Sequence, residues 1–508
     1  MDFYMDHSQA KANPPPRRLC QSDSACCAVC QTVIDLQDQL AKARAVVQDL
    51  QDRMGALELR TDLNRSHPSI IDRLPQEIAS EIFVYRAAEA SHAREIIRLG
   101  AVCRNWRRIA WSSQRVWTRL IIRSRRSRVL GKHIPLVKEW LDRSGRLPLS
   151  ITWIQPSLEI FCEEFDQYPM VQVLNSQAHR WESLNLDLPG VTFSLFDAST
   201  ATDPPTLKTL KLNASDKGIL RTTKLSLPTP RVIEVSPELS VDIQTFNWNL
   251  ASHITVALPT AESVLRILEQ GPHILSFKVQ LNHDLWESPS SASLQITHSL
   301  LNDLDINFNE QDSLEFFIKS VTLPALEHLH LRASDMALQV PTLISFLTRS
   351  SVELKSLTFD GVGLSQEGFI PIAPLIPSLE RLTIDLPFRR DNNFRRLYFA
   401  LANCTSPTNP DAILPSLQDF HWRGESIFPW KVLPYYLRPL SPQDPTSCRP
   451  LKLIRIHCTL NSQHHELPVI SEELFAQLSR LADRVKLQLR ARYDGDTTDL
   501  MDMWKFIL

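Results

Sequence analysis

Glycine is scarce in this chain, with 12 residues in 508. That scarcity speaks against glycine-rich phosphate loops, which need backbone amides brought close to a ligand. The one loose cluster, Gly361, Gly363 and Gly368, has neither the spacing nor the following lysine of such a loop. No apolar run reaches the roughly eighteen residues of a membrane span, and no charged-then-apolar leader opens the sequence, so neither spanning nor secretion is expected. A basic excess is missing too: 55 Lys and Arg against 57 Asp and Glu leave a formal net charge of -2. Such a balance gives no general attraction to nucleic acid or to an acidic membrane. A G-x-S-x-G nucleophile elbow is absent, and His464-His465-Glu466 lacks the helical two-histidine spacing of a zinc protease. No catalytic residue and no cofactor is therefore expected.

What is present is a globular composition, 43% hydrophobic and 22% charged, on a chain too long for a single core. Four of the nine cysteines crowd at Cys20, Cys26, Cys27 and Cys30, and five are scattered, a usage that suits a reducing compartment. The expected location is the cytoplasm, the nucleus or both. Cys27-Ala-Val-Cys30 has the gap of a zinc half-site, but one cysteine directly precedes the pair and a helix follows at once. Unligated thiols on a flexible tail, residues 1–30, are the default reading, and no metal is assigned. Over 31–66, Val33, Leu36, Leu40, Ala43, Val47, Leu50, Met54 and Leu57 alternate three- and four-residue steps, the seam of a coiled coil. Two readings stay open, a homodimer through residues 33–57, which is preferred, and an amphipathic helix folded on its own chain.

The segment from 70 to 120 is the most informative. Pro75 stands where a helix tolerates it, at the first turn. After it, Ile78, Ile82 and Phe83 recur at helical spacing, a second stripe runs through Ile96, Ile97, Leu99 and Val102, and a third holds Trp106, Ile109 and Ala110, with Trp111 and Trp117 beyond. Helices this short must pack on one another to be stable. The order Ile71, Leu74, Pro75, Glu77, Ile78, Glu81, Ile82, Phe83, then Val102, Cys103, Arg104, Trp106, Arg107, Ile109, Ala110, then Trp117, Thr118, Leu120 resembles an F-box, particularly the set found in mushroom-forming fungi. The polar stretch Arg86 to Arg94 departs from the loop usual in that family and reads partly helical. The resemblance implies a Skp-type adaptor as partner, and through it a cullin, with contact at Leu74, Pro75, Ile78, Ile82 and Phe83, supported by Val102 and Trp106.

A basic cluster, Arg123, Arg125, Arg126, Arg128 and Lys132, follows and reads as a solvated face. A helix is expected to end near Ser144 and a strand to run from Leu147 to Trp153. Beyond about residue 150 an apolar triplet with two- and one-residue gaps repeats, as in Trp181-Leu184-Leu186, Leu207-Leu210-Leu212, Leu326-Leu329-Leu331 and Leu417-Phe420-Trp422, with weaker copies near Val232 and Ile254. Most units start 25 to 28 residues apart, within the leucine-rich-repeat period of about 20 to 29. Proline often precedes the triplet, and helical segments lie between the triplets, so each unit reads as one strand plus one helix. The tail, from Arg484, reads as a final strand and a capping helix. The period resembles the repeat domains of F-box proteins, while the consensus asparagine is missing.

The fold class expected is α/β: a tail (1–30), a coiled-coil helix (31–66), a three-helix F-box (67–122), a linker and cap (123–150) and an irregular leucine-rich-repeat solenoid of parallel strands plus helices (151–508). The implied function is a substrate-recognition subunit of an SCF-type ubiquitin ligase, non-catalytic itself, holding a protein target on the variable strand positions. These include Lys211, Glu327, His328, His330, Arg332, Lys355, Arg381, Thr383, His421 and Arg455. A non-ligase scaffold built on coiled coil and repeats is the alternative, and an enzyme on a repeat fold a third reading.

Overall fold

The computed structural model describes residues 28–66, 74–90, 93–123, 130–155, 168–197, 207–214, 218–220, 230–237, 239–241, 246–258, 260–281, 295–308, 310–365, 368–386, 394–402, 413–424, 428–437, 448–460, 470–493 and 496–500. Two compact units divide the chain, residues 1–79 and 80–508.

In the first unit, α1 (Ala28–Ser66) is a helix of 39 residues, about 58 Å long at the usual rise. Its heptad side chains Val33, Leu36, Leu40, Val47, Leu50, Met54 and Leu57 are between 47% and 62% exposed. The pairs Asp38–Lys42 at 2.7 Å and Asp49–Arg53 at 3.0 Å lie one turn apart on its surface, each worth about 0.3–0.5 kcal/mol. Among the described residues, no helix is long and apolar enough to cross a membrane. At the unit's end, α2 (Gln76–Glu89) begins and continues into the second unit. Pro75 precedes α2 instead of occupying its first turn, and its carbonyl accepts the first helical bond from the amide of Ala79, 3.1 Å away. The residue thus acts as the cap, where its missing donor costs nothing.

The second unit opens with the rest of α2, then α3 (Ala93–Val102), α4 (Arg104–Ser112) and β1 (Arg119–Arg123). The stretch Arg86 to Arg94 is partly helical, as its sequence reads: its start closes α2 at Glu89 and its end opens α3 at Ala93, and residues 91–92 lie outside the described residues. Cys103 caps α4, its Sγ accepting from the Trp106 amide at 3.4 Å, while Arg107 Nε donates to the Gly100 carbonyl at 2.7 Å and closes α3. A side chain at Gly100 would strike the Trp111 ring, so only glycine lets that ring approach. Trp117 packs edge-on against Trp111 and Trp140, with centroids 5.1 and 4.7 Å apart, and Arg143 lies over Trp111 and Trp117.

Next come α5 (Leu130–Arg143), β2 (Leu149–Ile154), α6 (Tyr168–Asn175), β3 (Trp181–Leu188), β4 (Thr209–Ala214), β5 (Gly218–Leu220), β6 (Val232–Val235), β7 (Leu239–Val241) and β8 (His253–Leu258). These lead to α7 (Ala261–Gln270), β9 (Ser276–Leu281), β10 (Ile296–Thr297), β11 (Asp303–Phe308), α8 (Gln311–Ser320), β12 (Val321–Thr322), β13 (His328–Leu338), α9 (Val340–Ser350) and β14 (Ser356–Leu364). The remainder is β15 (Arg381–Leu386), α10 (Arg395–Ala402), β16 (Asp419–Gly424), β17 (Leu453–Leu460), α11 (Glu472–Ala482), β18 (Lys486–Tyr493) and β19 (Asp496–Asp499).

The strands pair in chain order and in parallel: β1–β2–β3–β4–β6–β8–β9–β11–β13–β14–β15–β16–β17–β18. The segments β5 and β7 pair beside them, with Ser240 of β7 opposite Ala257 of β8, and β10 pairs with β12 separately. The repeat triplets explain this order. Leu184, Leu210, Ile233, Ile254, Phe277 and Leu304 stand side by side in successive strands, and all are buried. Because a parallel neighbour needs a crossover connection, each unit hands its apolar row to the next. Each fully buried Leu or Phe contributes about 1.5–3 kcal/mol.

Three details differ from the sequence reading. The strand-plus-helix unit holds for β8–α7, β11–α8, β13–α9, β15–α10 and β17–α11, whereas a 3-10 turn at Gly190–Leu195 follows β3 and another at Ala373–Leu375 follows β14. After β18 the chain turns back as an unexpected β19, antiparallel to it; the capping helix expected for the tail would follow from Leu500, and residues 501–508 lie outside the described residues. The Pro-rich segment from Phe428 to Pro450, which reads in the sequence as a surface loop, forms a 3-10 segment at Trp430–Leu437 with Trp430, Val432, Leu433 and Tyr436 buried, and 438–447 lie outside the described residues.

Candidate functional site

The first surface starts from the helical periodicity of α2. Ala79, Phe83 and Ala87 form its buried side, and Phe83 lies 5.1 Å from the Trp106 ring. Ile78, Ile82 and Tyr85, at four- and three-residue steps, share the other side. Ile78 is 49% exposed and Ile82 44%. The single apolar face read from the sequence is therefore two faces, and Phe83 is a core residue with 1% of its surface exposed. Leu74 is half-buried, Pro75 exposed and Trp106 half-buried. On α3, Val102 is 61% exposed and Ile97 also faces solvent. In the same helices, Ser80 bonds Ser113 at 2.7 Å, Arg86 bonds Glu95 at 2.7 Å, and Arg115 pairs with Glu81.

The second surface is the polar row between the two buried rows of the sheet. Pairing aligns Lys211, Glu234, Thr255 and Lys278 in successive strands, then Asp305, His330, Thr358, Thr383, His421, Arg455 and Gln488. Five of the target candidates, Lys211, His330, Thr383, His421 and Arg455, lie in this row. His328 and Arg381 lie one row earlier, Arg332 two residues after His330, and Glu327 and Lys355 just before their strands. Most of these charges are already engaged. Lys211 pairs with Glu234 at 2.6 Å, Lys355 with Glu327 at 2.9 Å and Arg332 with Asp305 at 3.1 Å. The hydrogen bond between Lys355 and Glu327 raises the lysine pKa and lowers the glutamate's. Burial lowers the His330 pKa, reinforced by Arg332 and Lys278 and opposed by Asp305 and Asp360. Its ring, 3.6 Å from Asp305, is thus a neutral contact at neutral pH, and the ion pair of that carboxylate is with Arg332.

Towards the C-terminal strands the surface turns from balanced to cationic. Arg423, His457 and Arg490 align in a second row beside His421, Arg455 and Gln488. Burial, then the charges of Arg455, His457 and Arg423, push the His421 pKa down to about 4. Burial also raises the Asp385 pKa, against the pull of Arg423 at 3.3 Å. Sequence reasoning found His421 and Arg455 but missed Arg423, His457 and Arg490. The signal was one step further along each strand, in the alternations Phe420-His421-Trp422-Arg423 and Ile454-Arg455-Ile456-His457.

Among the described residues, no group of three or more His, Cys, Asp or Glu is arranged to hold a metal. Cys20, Cys26 and Cys27, His464-His465-Glu466, and Arg125, Arg126 and Arg128 lie outside the described residues.

The order of α2, α3, α4 and β1 is decided by one comparison. Residues 71–123 match the F-box-like family. The chain matches no curated protein at a significant level. The F-box-like domain thus takes in β1, so its last residues, Arg119–Arg123, are also the first strand of the sheet. F-box domains generally bind a Skp-type adaptor and so join a cullin complex, and proteins that carry them are typically non-catalytic.

Proposed function

We propose that this chain is the substrate-recognition subunit of an SCF-type cullin-RING ubiquitin ligase. The F-box-like domain would hold the Skp-type adaptor, and residues 151–508, read as an irregular leucine-rich-repeat solenoid, would hold a protein target on the solvent side of the parallel strands. The observation that carries the reading is the match at 71–123 together with Ile78 and Ile82, left at 49% and 44% exposure on a helix whose other side is already packed. Leu74, Pro75, Ile78, Ile82 and Val102 would contact the adaptor, while Phe83 and Trp106 would support them from within. The chain would make no bond itself, its contribution to rate being proximity, and it would work in the cytoplasm, the nucleus or both.

The test is affinity purification from cells expressing the wild-type chain or Ile78→Asp/Ile82→Asp. Recovery of adaptor and cullin with the wild type and loss of both with the variant is the expected outcome. Equal recovery, or none with either, would overturn the ligase reading.

The scaffold alternative is favoured by a separate observation, the exposed heptad side of α1. In a parallel pair, Arg53 and Glu58 of opposite helices fall at facing flank positions of the seam. Sedimentation of the full chain checks it. The wild type should be a dimer and Leu36→Asp/Leu50→Asp a monomer; a monomeric wild type removes the homodimer.

A further inference from the structure

Among the described residues, three adjacent strands near the C-terminal end of the sheet carry a cationic surplus that the other strands of the polar face lack. On β16, His421 and Arg423 alternate with buried Phe420 and Trp422. On β17, Arg455 and His457 alternate with buried Ile454 and Ile456. On β18, Gln488 and Arg490 flank buried Leu489. The pairing places His421, Arg455 and Gln488 in one row and Arg423, His457 and Arg490 in the next.

Neither β17 nor β18 contains an acidic residue. Among the described residues, the carboxylates bordering the patch include Asp385, 3.3 Å from Arg423, Asp419 at the start of β16, and Asp499 opposite Arg490 on β19. Arg455 donates to the Gln488 side-chain oxygen at 2.8 Å, which fixes its guanidinium and leaves its other donors available. Elsewhere on the same face the rows are balanced, with Lys211 on Glu234 and Arg332 on Asp305. Burial is the largest cause of the fall of the His421 pKa to about 4, and the neighbouring Arg455, His457 and Arg423 add to it.

We propose that the solvent face of β16–β18 docks an extended acidic segment of a protein, whose carboxylates at alternating positions meet Arg455, Arg423 and Arg490. This deepens the reading of the sheet as a target-holding surface and rests on it. The spacing selects the ligand. Arg423 and Arg490 are two strands apart, about 10 Å, and Arg455 is offset by two residues, about 6.6 Å. One strand spacing combined with that offset puts Arg455 about 8 Å from each of the other two, a span that the long arginine side chains can close onto carboxylates about 6.6 Å apart at every second residue of an extended chain. The three do not converge on one point as a single phosphoryl group would require, and the alternating polar positions present no aromatic platform for stacked bases.

Fluorescence anisotropy with the full chain tests the proposal, using as probe a labelled short peptide alternating glutamate and serine. The same peptide with glutamine, a peptide with one phosphoserine, and a single-stranded oligonucleotide serve as comparisons. The glutamate peptide should bind best, and more weakly as salt rises. Arg455→Gln/Arg490→Gln should weaken it by about tenfold or more. Gln488→Glu, which adds a charge beside Arg455 without removing an arginine, should do the same, and the remote, exposed Lys138→Gln should not. The proposal is overturned if the glutamine peptide binds equally well, if the phosphoserine peptide or oligonucleotide binds more tightly, or if both patch variants bind like the wild type. Capture of the adaptor does not involve these residues, so failure here with adaptor recovery intact would leave the ligase reading standing.

Discussion

Arg449, with 2% of its surface exposed, organises the most irregular part of the sheet domain. Its guanidinium donates to the carbonyls of Leu401 at 2.9 Å, Ile413 at 2.7 Å, Leu414 at 3.3 Å and Tyr436 at 3.4 Å. One side chain thereby satisfies the end of α10, the turn before β16 and the segment Trp430–Leu437, all of which would otherwise bury orphaned acceptors. Burial raises the pKa of the Tyr436 hydroxyl, which stays neutral. Arg449→Met keeps the apolar stem and removes every donor, so it should cost about 3 kcal/mol, read as a lower urea midpoint. His421 gives a prediction of a different kind. Its folded pKa of about 4 lies below the free value of about 6.5, so the unfolded chain takes up its proton first. Stability contributed by this residue should therefore be full above about pH 6.5 and decline as pH falls towards 4. Melting temperature against pH, with His421→Asn as the comparison, should show a shallower acid decline in the variant.

At the scale of elements, the aromatic stack of Trp111, Trp117 and Trp140 joins α4 to α5 and so ties the F-box-like domain to the sheet that follows. Trp117 is buried and its Nε1 donates to the Ala110 carbonyl at 2.8 Å. Trp117→Ala should cost about 3–5 kcal/mol, measured by equilibrium unfolding, with loss of α4 packing visible in near-ultraviolet circular dichroism. These elements were legible in the chain to different degrees. The triplets ending in Leu186, Leu331 and Trp422 announced strands because each carries its own two-residue alternation. The heptads of α1 and the order of α2, α3 and α4 were legible for the same local reason. Which side of α2 is covered was not, because Ile78, Ile82 and Phe83 are equally apolar and only Trp106, from a different helix, distinguishes them. The reversal at β19 was hidden too, since Asp-Thr-Thr-Asp carries no apolar pattern and its pairing is supplied by β18. Arg449 looked like an ordinary loop arginine because its carbonyl partners lie as far as 48 positions away in the chain.

For the second unit as a whole, parallel pairing in chain order means that neighbouring strands come from nearby sequence, and each strand is bonded to the one before it. Its polar face is divided by charge, balanced through β4–β15 and cationic over β16–β18, although the chain has a net charge of only -2. The strand shared between the F-box-like domain and the sheet has a practical corollary. Removing that domain by starting a fragment at Leu130 would strip β2 of its neighbour and bare a row of amides and carbonyls opposite Leu149–Ile154. Open edges of this kind recruit one another. Light scattering should therefore find such a truncation self-associated, and a fragment that keeps residues 74–508 monodisperse.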